Sequence, residues 1–272
     1  ITTGVGFTPF TSAYYIMLLP YSIVTISIVT ALLPHLSKLA IEKNVEEVRK
    51  QLIRAIKMVG VITVPSSLAF LFFGPMMTEA LYFGISLEDS RYIGHVLSAL
   101  SLGLVAFSIN LILIRGFNAF EDTRTQVISI LIINIISVAL SYASLEFLDS
   151  QQVTIGLGGA FSVSYIVGLF ITLSLLKKHT GKLAFSTFAG HHAKLYIAST
   201  LAMAPLFALV SFFEWENAES SLIMRALRLG LILALSGTFY LLFAKLFKVA
   251  EIATLAEFGR GLLKKRKGRL DP

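Results

Sequence analysis

Few residues in this chain are of types and spacings that do chemistry, and they fall into five groups. In the stretch RGFNAFEDTRTQ, residues 115–126, Arg115 can pair with an anion, and Asp122 can cap a helix that starts at Thr123. Pairing between the two, capping, and contact with a substrate all fit these types. Asn134 and Ser137 share a helical face by their i, i+3 spacing, which suits interhelical hydrogen bonding. Tyr15 and Asn110 interrupt apolar runs. Tyr15, near the end of its run, suits an anchor at a bilayer interface. Glu79 and His95 are ionisable groups near the ends of apolar runs, where functional roles compete with snorkelling to the interface. His191 and His192 stand in a basic stretch without a partner at metal-ligand spacing.

Other chemistry is missing. No nucleophile has a base beside it, no glycine loop could cradle a phosphate, and no paired acids fall in a plausible cleft, so an enzyme is not expected. The absence of cysteine excludes disulfides and thiolate metal sites.

The elements that must hold these residues are apolar. The chain is 56% hydrophobic and only 14% charged, against about 25% charged in ordinary soluble domains. It therefore reads as an all-α, polytopic membrane protein. About 20 apolar residues of helix cross a bilayer core, and such runs fall at 13–33, 58–83, 92–114, 127–147, 153–176, 195–213 and 226–247. The first contains Pro20 and Pro34. Proline removes a helix hydrogen bond and crowds the preceding turn, so Pro20 is expected to kink this span and Pro34 to end it. Inside a membrane such a break needs other groups to satisfy the freed carbonyls, and it marks a cavity, a moving helix or a static kink. Residues 38–57 have the periodicity of an amphipathic connector on the membrane surface. The second span carries further breaks at Pro65 and at Gly74-Pro75, the fifth opens on small residues at Gly156, Gly158 and Gly159, and the sixth contains Pro205. Residues 177–194 read as a long basic loop.

Charge orients the spans. Of the 23 Lys and Arg, all but Arg91, Arg225 and Arg228 follow the first, third, fifth or seventh span. The positive-inside rule makes that side cytoplasmic, with Ile1 outside and Pro272 inside. This topology explains the net charge of +7 better than nucleic-acid binding, because no separate basic domain with interleaved aromatics exists. The chain begins at Ile1 with no signal-peptide pattern, and an odd number of spans with an external start suggests further spans upstream. The tail, 248–272, is basic, and Lys264, Lys265, Arg266, Lys267 and Arg269 suit anionic headgroups or a partner protein.

Two motifs carry a resemblance. Residues 19–37 follow L-P-x-x-I-x-x-x-S-I-x-T-A-x-x-P-x-L-S, and 115–125 follow R-x-F-x-A-x-x-D-T-x-T. Together with the Pro65 break and LYFGI after Gly74-Pro75, they resemble the second half of the MurJ (MviN) lipid II flippase family, within the multidrug/oligosaccharidyl-lipid/polysaccharide exporter superfamily. The resemblance covers 13–168; beyond it only span count and topology agree. It implies a fold of fourteen transmembrane helices, two six-helix lobes around a cavity and two extra helices forming a lipid-tail groove. This chain would hold the last seven helices: lobe helices over 1–177, the added pair with its preceding basic loop over 178–247, and a cytoplasmic tail over 248–272.

The implied activity is flipping of undecaprenyl-diphosphate-linked peptidoglycan precursor across the bacterial cytoplasmic membrane by alternating access. No cofactor is implied; coupling to Na+, with Asn134 and Ser137 as candidate ligands, or to the membrane potential is allowed. Implied partners are membrane lipid, the lipid-linked substrate, the missing N-terminal half, and a cytoplasmic regulatory domain or cell-wall proteins. Tyr15, Pro20, Asn110 and Arg115 are the expected cavity residues. The chain departs from the family at Tyr15, where arginine is frequent, at Leu18, where an acid can occur, and at Gln126, where proline is usual. Export of another lipid-linked sugar or an amphipathic drug, or a non-transporting scaffold, are the competing readings.

Overall fold

The structure is a computed structural model describing residues 6–183, 185–213 and 221–252. It is all helical within those limits. The first span is built of α1 (Phe7–Pro20), a wide π-turn (Tyr21–Thr25) and α2 (Ile26–Ile41). After it come α3 (Val45–Leu81), α4 (Leu87–Ala119), α5 (Thr123–Phe147), α6 (Val153–Thr180), α7 (Phe185–Phe212) and α8 (Leu222–Leu246). Counting α1 to α2 as one, seven helical segments among the described residues are long and apolar enough to cross a membrane.

Side chains at the helix starts take up backbone N–H groups that have no partner within the helix. Asn44, Ser86, Asp122 and Ser221 cap α3, α4, α5 and α8 by accepting from an amide three residues on. Helix α4 is the hub: it packs against α3 on one side and α6 on the other, with α1 and α2 lying across it. Helix α5 packs outside α6, and α7 with α8 covers the far side of α3.

Small residues and hydroxyls set these contacts, as expected where lipid tails are no less apolar than leucine. A Cβ on Gly94 of α4 would stand 2.3 Å from the Pro75 Cα of α3, so only glycine permits that approach. Ser67 of α3 donates to the Ser101 carbonyl at 2.6 Å, and Ser162 of α6 to the Ala99 carbonyl at 2.6 Å.

Several sequence expectations are corrected. Pro34 does not end its helix, because the buried stripe Val29, Leu32, Leu36 and Leu39 runs straight past it. The stretch 38–57 is no separate connector: after a turn at residue 43, left-handed at φ 57°, it becomes the first part of α3. Nor do Pro65 and Pro75 break α3. Each proline deprives the carbonyl four residues earlier of its amide, and in both cases a neighbouring helix supplies a donor. The Tyr240 hydroxyl of α8 bonds the Val61 carbonyl at 2.6 Å, and the Ser98 hydroxyl of α4 is shared between the Phe70 and Leu71 carbonyls at 3.0 and 3.2 Å and the Gly94 carbonyl of its own helix at 3.1 Å. Pro20 behaves differently, since the π-turn begins immediately after it. Within 177–194, α6 extends to Thr180 and α7 begins at Phe185, so the expected loop is mostly helix. His191 and His192 are consequently buried on α7.

Candidate functional site

The first span, α4 and α6 meet in a cluster of rings. Tyr14 and Tyr21 lie about two helical turns apart on one face of the first span. Tyr21 packs on Phe107 of α4 at 4.5 Å between centroids, and Tyr14 meets Phe161 of α6 edge-on at 5.8 Å. Tyr165 of α6 closes the group, 4.9 Å from Phe107 and 4.7 Å from Phe161. All five rings are half-buried. They form a wall with apolar faces and three phenol groups, suited to an amphiphile with hydroxyls or a sugar ring.

Arg115 supplies the cation beside this wall. It sits within the last turns of α4, about two turns on from Phe107, not in the turn that follows. Its Nε is buried without a hydrogen-bond partner.

Asn110, one turn earlier, is committed internally. Its amide donates to the Ala106 and Tyr165 carbonyls at 2.9 and 3.1 Å, and its oxygen accepts from Thr172 at 2.8 Å. Thr172 in turn contacts Ser129 of α5 at 2.8 Å. This buried group ties α4, α5 and α6 together.

Tyr15 is 64% exposed, on a face with Leu19 and Ile23 rather than among the rings. Asn134 is exposed on α5 and Ser137 half-buried; Ser129 is the α5 residue in the buried polar group. Thr123, exposed, begins α5 beside its cap. Asp122 accepts from the Thr125 amide at 3.0 Å and hydroxyl at 2.7 Å, and meets His179 Nε2 of α6 at 2.6 Å. Those bonds, His179 foremost, hold its carboxyl well below the usual carboxylate range. Glu79 is buried against the Arg91 guanidinium at 2.5 Å, whereas His95 is exposed. Lys264, Lys265, Arg266, Lys267 and Arg269 lie outside the described residues. Among the described residues no three His, Cys, Asp or Glu side chains gather as metal ligands.

Sequence reading missed Tyr14, Tyr21, Phe107, Phe161 and Tyr165. Their only sequence signal is the recurrence of aromatics in three separate spans.

The apolar spans, the proline followed by a π-turn and the ring wall beside Arg115 define a multi-pass helical membrane protein with a polar-lined face. The family model for the lipid II flippase MurJ matches residues 3–248. This chain belongs to that family. It is 29% identical over 227 residues to a probable lipid II flippase MurJ of Rhizobium meliloti, covering 82% of this chain and 42% of the relative. A probable lipid II flippase MurJ of Rhizobium tropici is 24% identical over 253 residues, 91% of this chain and 46% of the relative. A solved structure of lipid II flippase MurJ in an inward closed conformation superposes with a TM-score of 0.66 at 21% identity, over 90% of this chain and 48% of that one. The chain thus spans about half the length of the proteins it matches, and the structural likeness establishes the fold.

Proposed function

We propose that this chain is the second lobe, with two added helices, of a lipid II flippase, and that it is a transporter component rather than an enzyme. The observation that carries the reading is the ring wall beside Arg115, placed directly against the π-turn after Pro20. A diphosphate-linked sugar needs both a cation and a surface for its rings, and alternating access needs a helix that can change shape. Residues 1–177 form the lobe and 178–247 the added pair. The chain acts with a partner lobe that supplies further cations, and the segment after α8 faces a cytoplasmic domain or cell-wall partners. The basic ends of the helices face the cytoplasm. Coupling runs through Na+ or the membrane potential, with Asn134 and Ser137 as the candidate cation ligands.

The test is lipid II translocation by the intact protein in cells depleted of their own flippase. Tyr21→Ala with Arg115→Ala is expected to reduce translocation at least tenfold, a loss of about 1.4 kcal/mol, while membrane insertion is retained. Normal translocation by that variant would remove this site, and no translocation by the unaltered protein would leave the scaffold reading. Because the chain lacks cysteine, single cysteines at Lys43 and Ser86 report its orientation. Labelling of Ser86→Cys from the cytoplasm would reverse it. Translocation unchanged by removing Na+ and by Asn134→Ala would dismiss the cation site.

A further inference from the structure

A second polar site lies at the basic end of the bundle, where α3, the first turns of α7 and the chain leaving α8 meet. It is a cavity of about 390 Å³ lined by Lys57, His191, Lys194, Lys248 and Glu251. Glu251 is 3.8 Å from Lys57 Nζ and 3.4 Å from His191 Nδ1, while His191 Nε2 meets the Lys57 carbonyl at 3.2 Å. One carboxylate therefore faces three ammonium groups, and it is engaged by Lys57 and His191. Lys194 and Lys248 are exposed at the mouth and make no ion pair among the described residues. Lys248 owes its place to a left-handed turn, φ 55°, that ends α8 and brings Glu251 back over α3.

The surroundings select the occupant. A Cβ on Gly190, in the cavity wall, would meet nothing within 4 Å, so the space there is open. From Lys194 the exposed face of α7 continues through Ile197 and Leu201, at i+3 and i+7, and Leu242 and Leu246 are exposed on α8. A surplus of cations at one end and bare apolar ridges leading away match a phosphate with acyl chains attached. A free anion would use only the first of these. Basic pockets between helices at the membrane surface are suited to such headgroups.

We infer that this cavity binds the phosphate headgroup of an anionic phospholipid, with an acyl chain laid along the Ile197 and Leu201 face of α7. The bound lipid bridges α3, α7 and the end of α8. Nothing in this assignment depends on the flippase reading.

The intact protein in detergent, titrated with acyl-chain-labelled phosphatidylglycerol, gives the test. Phosphatidylglycerol should bind and phosphatidylcholine should not. Lys194→Gln with Lys248→Gln should weaken binding about thirtyfold, about fivefold for each lysine. Gly190→Leu, which fills the cavity without changing charge, should abolish it, and this variant decides the matter if the double lysine variant fails to fold. Lys38→Gln with Lys182→Gln, outside the cavity, should leave binding unchanged. Equal binding of phosphatidylcholine would overturn the assignment. So would displacement by inorganic phosphate at matched concentration, which would mark a free-anion site, or an equal loss in the Lys38 and Lys182 variant, which would mark diffuse surface charge.

Discussion

The Tyr240 hydroxyl donates to the Val61 carbonyl at 2.6 Å, the carbonyl that Pro65 leaves without a backbone amide. The bond joins α8 to α3 at the point where α3 would otherwise carry an unsatisfied buried acceptor. Tyr240→Phe is therefore expected to lower stability by about 1–3 kcal/mol. In a Pro65→Ala background the new amide can serve Val61, so the same substitution should cost less. Thermal midpoints of the four proteins measure this coupling, and equal costs in both backgrounds would refute it.

The Glu79 and Arg91 pair makes a different prediction because its two members are unequally buried, at 7% and 28% side-chain exposure. Arg91→Ala strands a carboxylate inside the bundle and should cost about 3–5 kcal/mol. Glu79→Gln keeps an oxygen that accepts from the guanidinium, and should cost less than half as much. Denaturation in the same detergent compares them; a costlier Glu79→Gln would show that the pair is held together by something other than charge burial.

Asp122 links the start of α5 to the end of α6 through His179, and its depressed pKa fixes the sign of a pH effect. An acid whose pKa is lowered by folding contributes stability above its unfolded value, about 3.9, and loses it as pH falls through the native value. Its contribution should be constant above about pH 5 and decline below about pH 4. Asp122→Asn should flatten that acid limb, read as a smaller fall in thermal midpoint on acidification. Parallel acid limbs for the two proteins would sink the argument.

How much of this was legible in the sequence depends on how far apart the interacting groups lie. The seven spans are visible because each needs only its own run of apolar residues. The four prolines at 20, 34, 65 and 75 look alike in sequence, yet α3 passes through two of them unbroken. For the two in α3 the freed carbonyl meets a donor elsewhere in the chain, 179 residues away for Val61. The ring wall was hidden for the same reason. Nothing local separates Tyr14 from Tyr15; only α6, arriving with Phe161, shows which of the two faces inward. His191 and His192 look like loop residues beside so many lysines, but burying Phe188 and Leu195 extends α7 across them.

The hydroxyls of the π-turn and α2 do something else. Ser22, Ser27 and Thr30 donate to Leu18, Ile23 and Ile26, carbonyls of their own span, while the two proline gaps of α3 are latched by α4 and α8. Straightening or tightening the first span rearranges these bonds within it, while the Tyr82 hydroxyl, donating to the Ser12 carbonyl at 3.1 Å, ties it to the end of α3. Changing the shape of α3 would tear two helices off it. The molecule thus has two kinds of proline-bearing span, one whose Ser22, Ser27 and Thr30 hydroxyls bond within it and one bonded to its neighbours, and the strip that carries Tyr14 and Tyr21 belongs to the first.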